Sequence, residues 1–587
     1  MFHNSKRSCR ELLLAFALAM CAGCSDSDDG SSRAEIEALA DAGDLVAAER
    51  QAKKQVVGNP DDPALRLMLG RIYLAAGDGA AAFAAFDRAR ALGATGLDLR
   101  RGLAESLILE GRYNDVLELL STSAEGSAVP ASLLTLRLHA RLRVPLARPG
   151  DLFLDARHLL AADLRNAAAE LEELASQDGA IPENATHVHR AIAYWSCQQA
   201  PTVAASSDML YEPAWATRNE TGRRVLTVGP EHALKTPGAA ARIAKDGDIV
   251  EIQAGAYPGD VAVWSANNLW IRATGGKVIL DSGGATAENM GIWIIRGDNT
   301  IVDGIRFTGA RSTHKNGSGI RLLAHNLWVR HSEFHDNEDG LMSYNQPGGE
   351  VIVEQSIFTA NGAGDGYSHN IYVGRTDRLV FRFNYTTGVR IGHQLKSRAR
   401  ENYILYNRLS DEASGNSSYT IDLPEGGFAL VMGNEIQQGP LTVNNHMVSL
   451  GAEEPQGRDH RFIFAYNTFY NNSSPATFIK DATHAGVALI NNVFAGAPAA
   501  LDAASPVRLG NAFDATGDLV DAHEADYRLK PSASFIDTGE LMDSLNDVSL
   551  VPEYEYVHPA GAKPREEVWR RDPGAHEFCG WPAYTAS

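Results

Sequence analysis

The sequence predicts a multidomain chain, an N-terminal α-helical repeat solenoid followed by a parallel β-helix. Three observations carry this prediction. Gly43, Gly77 and Gly111 stand 34 residues apart in an Ala- and Leu-rich stretch, the mark of a stacked helical repeat. Near residue 225 that texture gives way to short β-rich runs, each closed by Gly, Asn or Asp. Seven of those runs align on one polar column: Ser332, Ser356, Asn384, Asn407, Asn434, Asn467 and Asn492, at spacings of 24, 28, 23, 27, 33 and 25. A β-sandwich gives no reason for Asn at one phase of every turn. Stacked coils do, because amides hydrogen-bond up the stack and satisfy one another.

At the N-terminus, Lys6, Arg7 and Arg10 precede the apolar run ELLLAFALAMCAGC. The run is too short to span a bilayer and reads as the apolar part of a targeting segment. Its CAGC end, with small residues before Cys24, resembles a bacterial lipoprotein signal, although Cys21 stands where that signal usually has Leu. The resemblance implies a signal peptide over 1–23, lipidation at Cys24 and a membrane anchor. Ser25 in place of Asp favours the outer membrane. An ordinary secretory signal is the alternative. Residues 24–33 read as a polar tether. Cys197 and Cys579 remain beyond the signal, and in an oxidising compartment they are candidates for a disulfide. The net charge of −20 excludes a broad nucleic-acid footprint.

Residues 34–200 are predicted helical. In the clearest copy of the repeat, Leu69, Gly70 and Tyr73 fall on one helix and Ala82, Phe86 and Ala89 on the next, with Gly77 at the turn. Period and pattern resemble tetratricopeptide repeats. That likeness implies a concave face for a protein partner; a spacer that holds the next domain off the membrane is the equal alternative.

The β-helix is expected over 225–540, with a closing segment over 541–587. Within it, GDIVEIQAGAY (Gly247 to Tyr257) follows a short predicted helix, and DYRLKPSASFIDTG and RDPGAHEF stand near the end. These stretches and the Asn column resemble the right-handed parallel β-helix superfamily of pectate-lyase-like proteins. The likeness implies a helix that caps the first coil. It is specific for fold and weak for function, since sites are grafted onto folds.

Stacking Ile371, Leu395, Ile421 and Val448 as core residues sets a register. Side chains alternate across a strand and coils lie about 4.8 Å apart. One outward column then reads Tyr372, Lys396, Asp422 and Ser449, and a second reads Asn370, Gln394, Thr420 and Met447. A third holds His369, His393, Tyr419 and His446, either at a corner or in the core. From Arg375 to Arg408 the chain carries eight basic residues (with Arg390 and Arg398 among them) and only Asp377 and Glu401 as acids. Such a single-sign window attracts anionic ligands, or else resists edge aggregation.

A basic face of this kind suits an anionic, uronate-type polysaccharide. Lyases of the superfamily neutralise the uronate carboxylate, remove the C5 proton and expel the C4 oxygen. By that likeness Lys396 or His393 is the expected base, Arg398 the carboxylate clamp and Tyr372 the acid. His369 flanks them, and Asn370, Gln394, Asp422, Arg375, Arg390 and His446 are expected to contact the polymer. Ca²⁺ is a possible neutraliser, with Asp411, Glu412, Asp422 and Glu425 as weak ligand candidates. A non-catalytic scaffold that guides a polysaccharide is the main alternative. A C5-epimerase is less favoured, as no Asp-Pro-His triplet occurs, and so is a glycoside hydrolase, as one acid alone falls on the ladder.

Overall fold

The computed structural model describes residues 30–121, 129–145, 150–161, 167–199, 212–216, 218–453, 458–474, 476–566 and 570–579. Residues 1–23, expected as a signal segment, and Cys24 lie outside them. The chain forms two compact units that divide after Gln199.

The first unit is helical, and its described helices run from Gly30–Asp41 to Pro182–Gln199. Residues 30–33, expected as tether, already belong to the first of these. Asp44, Asp62 and Asp78 cap successive helices by accepting backbone N–H groups two or three residues on. Gly77 ends Pro63–Ala76 in the left-handed conformation, at φ 77°. A Cβ on Gly70 or Gly102 would lie within 2.8 Å of the Phe86 ring, so the missing side chains let three helices close on one aromatic. No described helix is long and apolar enough to cross a membrane.

The second unit is a right-handed parallel β-helix of about ten turns. Each coil gives three strands, as Arg378–Arg382, Tyr385–Thr387 and His393–Ser397 do. The first two join a twenty-stranded sheet and the third joins a ten-stranded one, all paired parallel among the described residues. Val225–Val228 and Ile249–Ala256 open the solenoid. Between them the short helix Pro237–Ala241, capped by Thr236, buries Ala240 against the first coil. Inside, aliphatic residues stack with aromatic columns; Phe334 lies on Phe358 at 4.5 Å.

The polar column is a continuous hydrogen-bonded ladder. Asn384 Nδ2 donates to Asn407 Oδ1 at 3.1 Å, Asn407 to Asn434 at 2.9 Å, Asn434 to Asn467 at 2.9 Å and Asn467 to Asn492 at 2.9 Å. Asn511 extends it by a rung. Each amide also donates to a backbone carbonyl, as Asn434 does to Ile404 O. The residue before each rung is left-handed: His331, Gln355, Phe383, Tyr406, Gly433, Tyr466, Asn491 and Gly510 have φ between 45° and 69°. Most of these are not glycine, and a non-Gly residue there costs about 1 kcal/mol. The ladder offsets that cost by satisfying every bend.

Past Val507–Leu509 the chain leaves the stack and forms small antiparallel pairs, the last being Tyr554–Val557 with Gly561–Pro564. This segment covers an outer aromatic stack. Tyr554 meets Phe383 at 5.3 Å and Tyr406 at 5.6 Å. Beside it a buried polar knot forms: His576 contacts Glu435 at 2.6 Å and Glu555 at 3.4 Å, and Arg565 pairs with Glu577 at 2.8 Å.

Candidate functional site

The ten-stranded sheet carries the ladder read from the sequence. Tyr372 pairs with Lys396, Lys396 with Asp422 and Asp422 with Ser449 on successive rungs. Ile371, Leu395, Ile421 and Val448 lie inside, so these four point outward.

The neighbouring columns differ from expectation. Asn370 and Gln394, expected to face a ligand, are fully buried. Asn370 Nδ2 donates to Gln394 Oε1 at 2.6 Å, and Gln394 Nε2 donates to Asp411 Oδ1 at 2.9 Å. They form a second internal polar ladder. Strict alternation fails because the strand begins on a bend, where one inward amide precedes the inward aliphatic. The pairing skips that position, passing from His393–Tyr419 to Leu395–Ile421. The slip turns the histidine column toward Tyr372: His369 lies 5.6 Å from the Tyr372 ring. His369, His393, Tyr419 and His446 stack at 4.6, 4.9 and 6.2 Å.

Two of those rings, His369 and His393, are held as neutral donors. His369 Nδ1 accepts the His393 backbone N–H at 3.0 Å, and His393 Nδ1 accepts that of Tyr419 at 3.2 Å. Each proton therefore sits on Nε2, and that of His393 faces Asp422 Oδ2 at 3.5 Å. Burial, with Lys396 beside it, holds His393 down to about 3. Burial also lowers His369 well below the usual histidine range, and lowers His446. With its lone pair engaged, His393 is not placed to remove a proton, which corrects one of the two expected bases.

At the C-terminal end of these strands lies a charged cluster. The Lys396 side chain is 10 % exposed, and its Nζ sits 3.1 Å from Asp422 and 2.7 Å from Glu453. Arg398 Nε donates to the Tyr372 oxygen at 2.9 Å, Nη1 meets Glu425 at 3.0 Å, and Nη2 meets Glu453. Glu425 also takes Arg375 and Arg458, both at 2.9 Å. Gly426 and Gly427, at φ 61° and 96°, turn the chain there; a Cβ on Gly426 would strike His460 at 2.5 Å. Burial pulls the Lys396 ammonium down, but Asp422 and Glu453 outweigh it and hold it above the ordinary lysine value. Burial pushes Asp422 up against the pull of Lys396. Glu425 and Glu453 stay low, since their basic partners overcome the cost of burial.

Three further expectations change. The basic window is not a strip. Arg378 pairs with Glu401, Arg382 with Glu354, Arg400 with Asp377 and Arg408 with Glu412. One coil circles the whole solenoid, so a window of its length spreads over every face and takes acids from other rungs. Arg390 bonds Gly362 O and Asp336 Oδ1 before the strand begins, at the opposite end from Arg398. The weak Ca²⁺ candidates do not converge. Asp411 accepts from Gln394, Ser417 and Gly439; Glu412 takes Arg408 and Tyr385; Asp422 takes Lys396; Glu425 takes three arginines. Their oxygens are committed to protein donors. Among the described residues no cluster of His, Cys, Asp and Glu suits a metal.

Glu453 and Arg458 were missed from the sequence. Their signal is faint: Glu453 follows its core residue Leu450 by three positions, whereas Glu425 follows Leu423 by two. The rungs drift in phase as they leave the sheet, so a fixed offset passes over them.

No protein-family model and no curated protein matches the sequence. Among solved structures, the chain is similar to pectate lyase Pel9A, with TM-score 0.44 and 13 % identity over 60 % of this chain and 96 % of that one. It is also similar to a pectin methylesterase from Aspergillus niger, with TM-score 0.26 and 10 % identity over 46 % and 88 % of the respective chains. Neither likeness bears on substrate or chemistry, which rest on the side chains.

Proposed function

We propose that the ten-stranded face binds an anionic, uronate-type polysaccharide and cleaves it by β-elimination. One observation supports this most: on adjacent rungs a guanidinium fork already gripping carboxylates stands beside a phenol and an amine. Arg398 would take the uronate carboxylate and acidify the C5 proton. The Lys396 amine would accept that proton. The electron pair left at C5 forms the C4–C5 double bond as the C4–O bond breaks. Tyr372, whose oxygen already accepts from Arg398, would give its proton to the departing oxygen. Asp422, faced by His393, would hold the amine in place.

Binding without cleavage is the second reading. It is favoured by Lys396 being held protonated between two carboxylates. A lipid anchor at Cys24, an outer-membrane location, and a protein partner on the tetratricopeptide-like helices belong to either reading as proposals. Incubation with alginate, polygalacturonate and glucuronan, followed by ultraviolet absorbance of the new double bond, separates the two. A signal that disappears in Lys396→Ala, Arg398→Ala and Tyr372→Phe supports the lyase. Binding with no absorbance gain supports the scaffold, and no binding to any of the polymers refutes both.

A further inference from the structure

Glu453 differs from the other carboxylates of the cluster. Asp422 and Glu425 are buried, at 2 % and 5 % exposure, and Glu425 is gripped by three arginines. Glu453 has a side chain 46 % exposed, yet its carboxylate bridges two groups that are 10 % and 16 % exposed, Lys396 and Arg398. It reaches them from the rim. Its backbone N–H is fixed to Pro424 O at 2.9 Å, so rotation of the side chain alone would release both cations. One oxygen meets the ammonium and the other meets the guanidinium, the two-point grip a ligand carboxylate would receive.

We propose that the Glu453 carboxylate is an internal stand-in for the ligand's carboxylate, and that an anionic ligand binds by displacing it. This rests on the proposed binding of uronate polymers at the same site. The stand-in gives Lys396 and Arg398 a shared second carboxylate when no ligand is bound, beside Asp422 on the ammonium and Glu425 on the guanidinium. It also sets selectivity. A ligand must outcompete a tethered carboxylate, so dispersed or singly placed anions are rejected while a polymer anchored at neighbouring rungs succeeds.

The test compares wild type with Glu453→Gln, using calorimetric binding of polygalacturonate and alginate and the thermal shift produced by inorganic sulfate. The variant is expected to bind the polymers about tenfold more tightly. It is also expected to gain a sulfate-dependent stabilisation that wild type lacks and that Arg398→Ala abolishes. Unchanged or weaker binding of both polymer and sulfate overturns the stand-in. If the variant gains the sulfate response but neither protein binds a uronate polymer, the stand-in holds and the proposed substrate class fails.

Discussion

The knot under the C-terminal segment makes a quantitative prediction about pH. His576 is buried between Glu435 and Glu555, with Lys563 on Glu555 at 3.0 Å and Arg408 near Glu435 at 3.7 Å. Burial opposes its charge, but the two carboxylates win and raise it from 6.5 to about 9. A raised folded value means stability that is complete below pH 6.5 and lost as pH climbs through 9. At about 1.4 kcal/mol per unit, docking should weaken by about 3 kcal/mol across that span. Glu555 mirrors it at the acid end. Burial would raise it, yet His576 and Lys563 hold it at about 2 instead of 4.5, so its share is full above 4.5 and lost on descent through 2. These are two views of one interaction and do not add. Hydrogen exchange in the Tyr554–Pro564 hairpin, corrected for intrinsic rates, reads the local opening. Asp339, pushed up to about 8 by burial, adds its own loss between 3.8 and 8, so His576→Gln is the reference. Wild type should lose protection from pH 6.5 to 9 more steeply than the variant, by about 3 kcal/mol. Equal slopes refute a charged His576.

Three other outcomes follow from the same geometry. Asn434→Ala removes four hydrogen bonds, two accepted from the Asn407 N–H and amide and two donated to Ile404 O and Asn467 Oδ1; at about 1 kcal/mol each, urea unfolding should show a loss of about 4 kcal/mol, and less than 1 would mean the ladder is ornamental. Because Lys396 is held above its ordinary 10.5, the proposed lyase turnover should rise about tenfold per pH unit through the neutral and mildly alkaline range, and a plateau near neutrality rules out the amine as base. Cys197 and Cys579 are each in a disulfide; peptide mapping without reductant should recover them on one linked fragment, and separate partners would contradict the pairing read from the sequence.

The β-helix was legible because its ladder is written in one residue type. Asn384, Asn407, Asn434 and Asn467 repeat at one phase whatever the loops between them do. The outward set Tyr372, Lys396 and Asp422 followed from the same register. Legibility ended where the chain bends. Asn370 and Gln394 lie one residue before regular pairing resumes, and a bend does not keep the two-residue alternation of a strand. The left-handed corner was hidden because His331, Phe383, Tyr406 and Tyr466 occupy it where Gly would have announced it. Charge was the least transferable signal. Glu425 and Glu453, which neutralise Arg398, lie 27 and 55 residues away along the chain and one or two rungs away in space.

The hydrogen-bonded column also defines a unit of growth. From Asn384 to Asn407 the chain makes one circuit and returns to the same amide, the same left-handed corner and the same outward strand. Duplicating such a circuit adds about 4.8 Å to the ten-stranded face and leaves the ladder in phase. Partial insertions fit only between the corners, as the 33-residue circuit from Asn434 to Asn467 shows. The length of this face is therefore set in whole-coil steps, whereas the loops that rim it vary residue by residue.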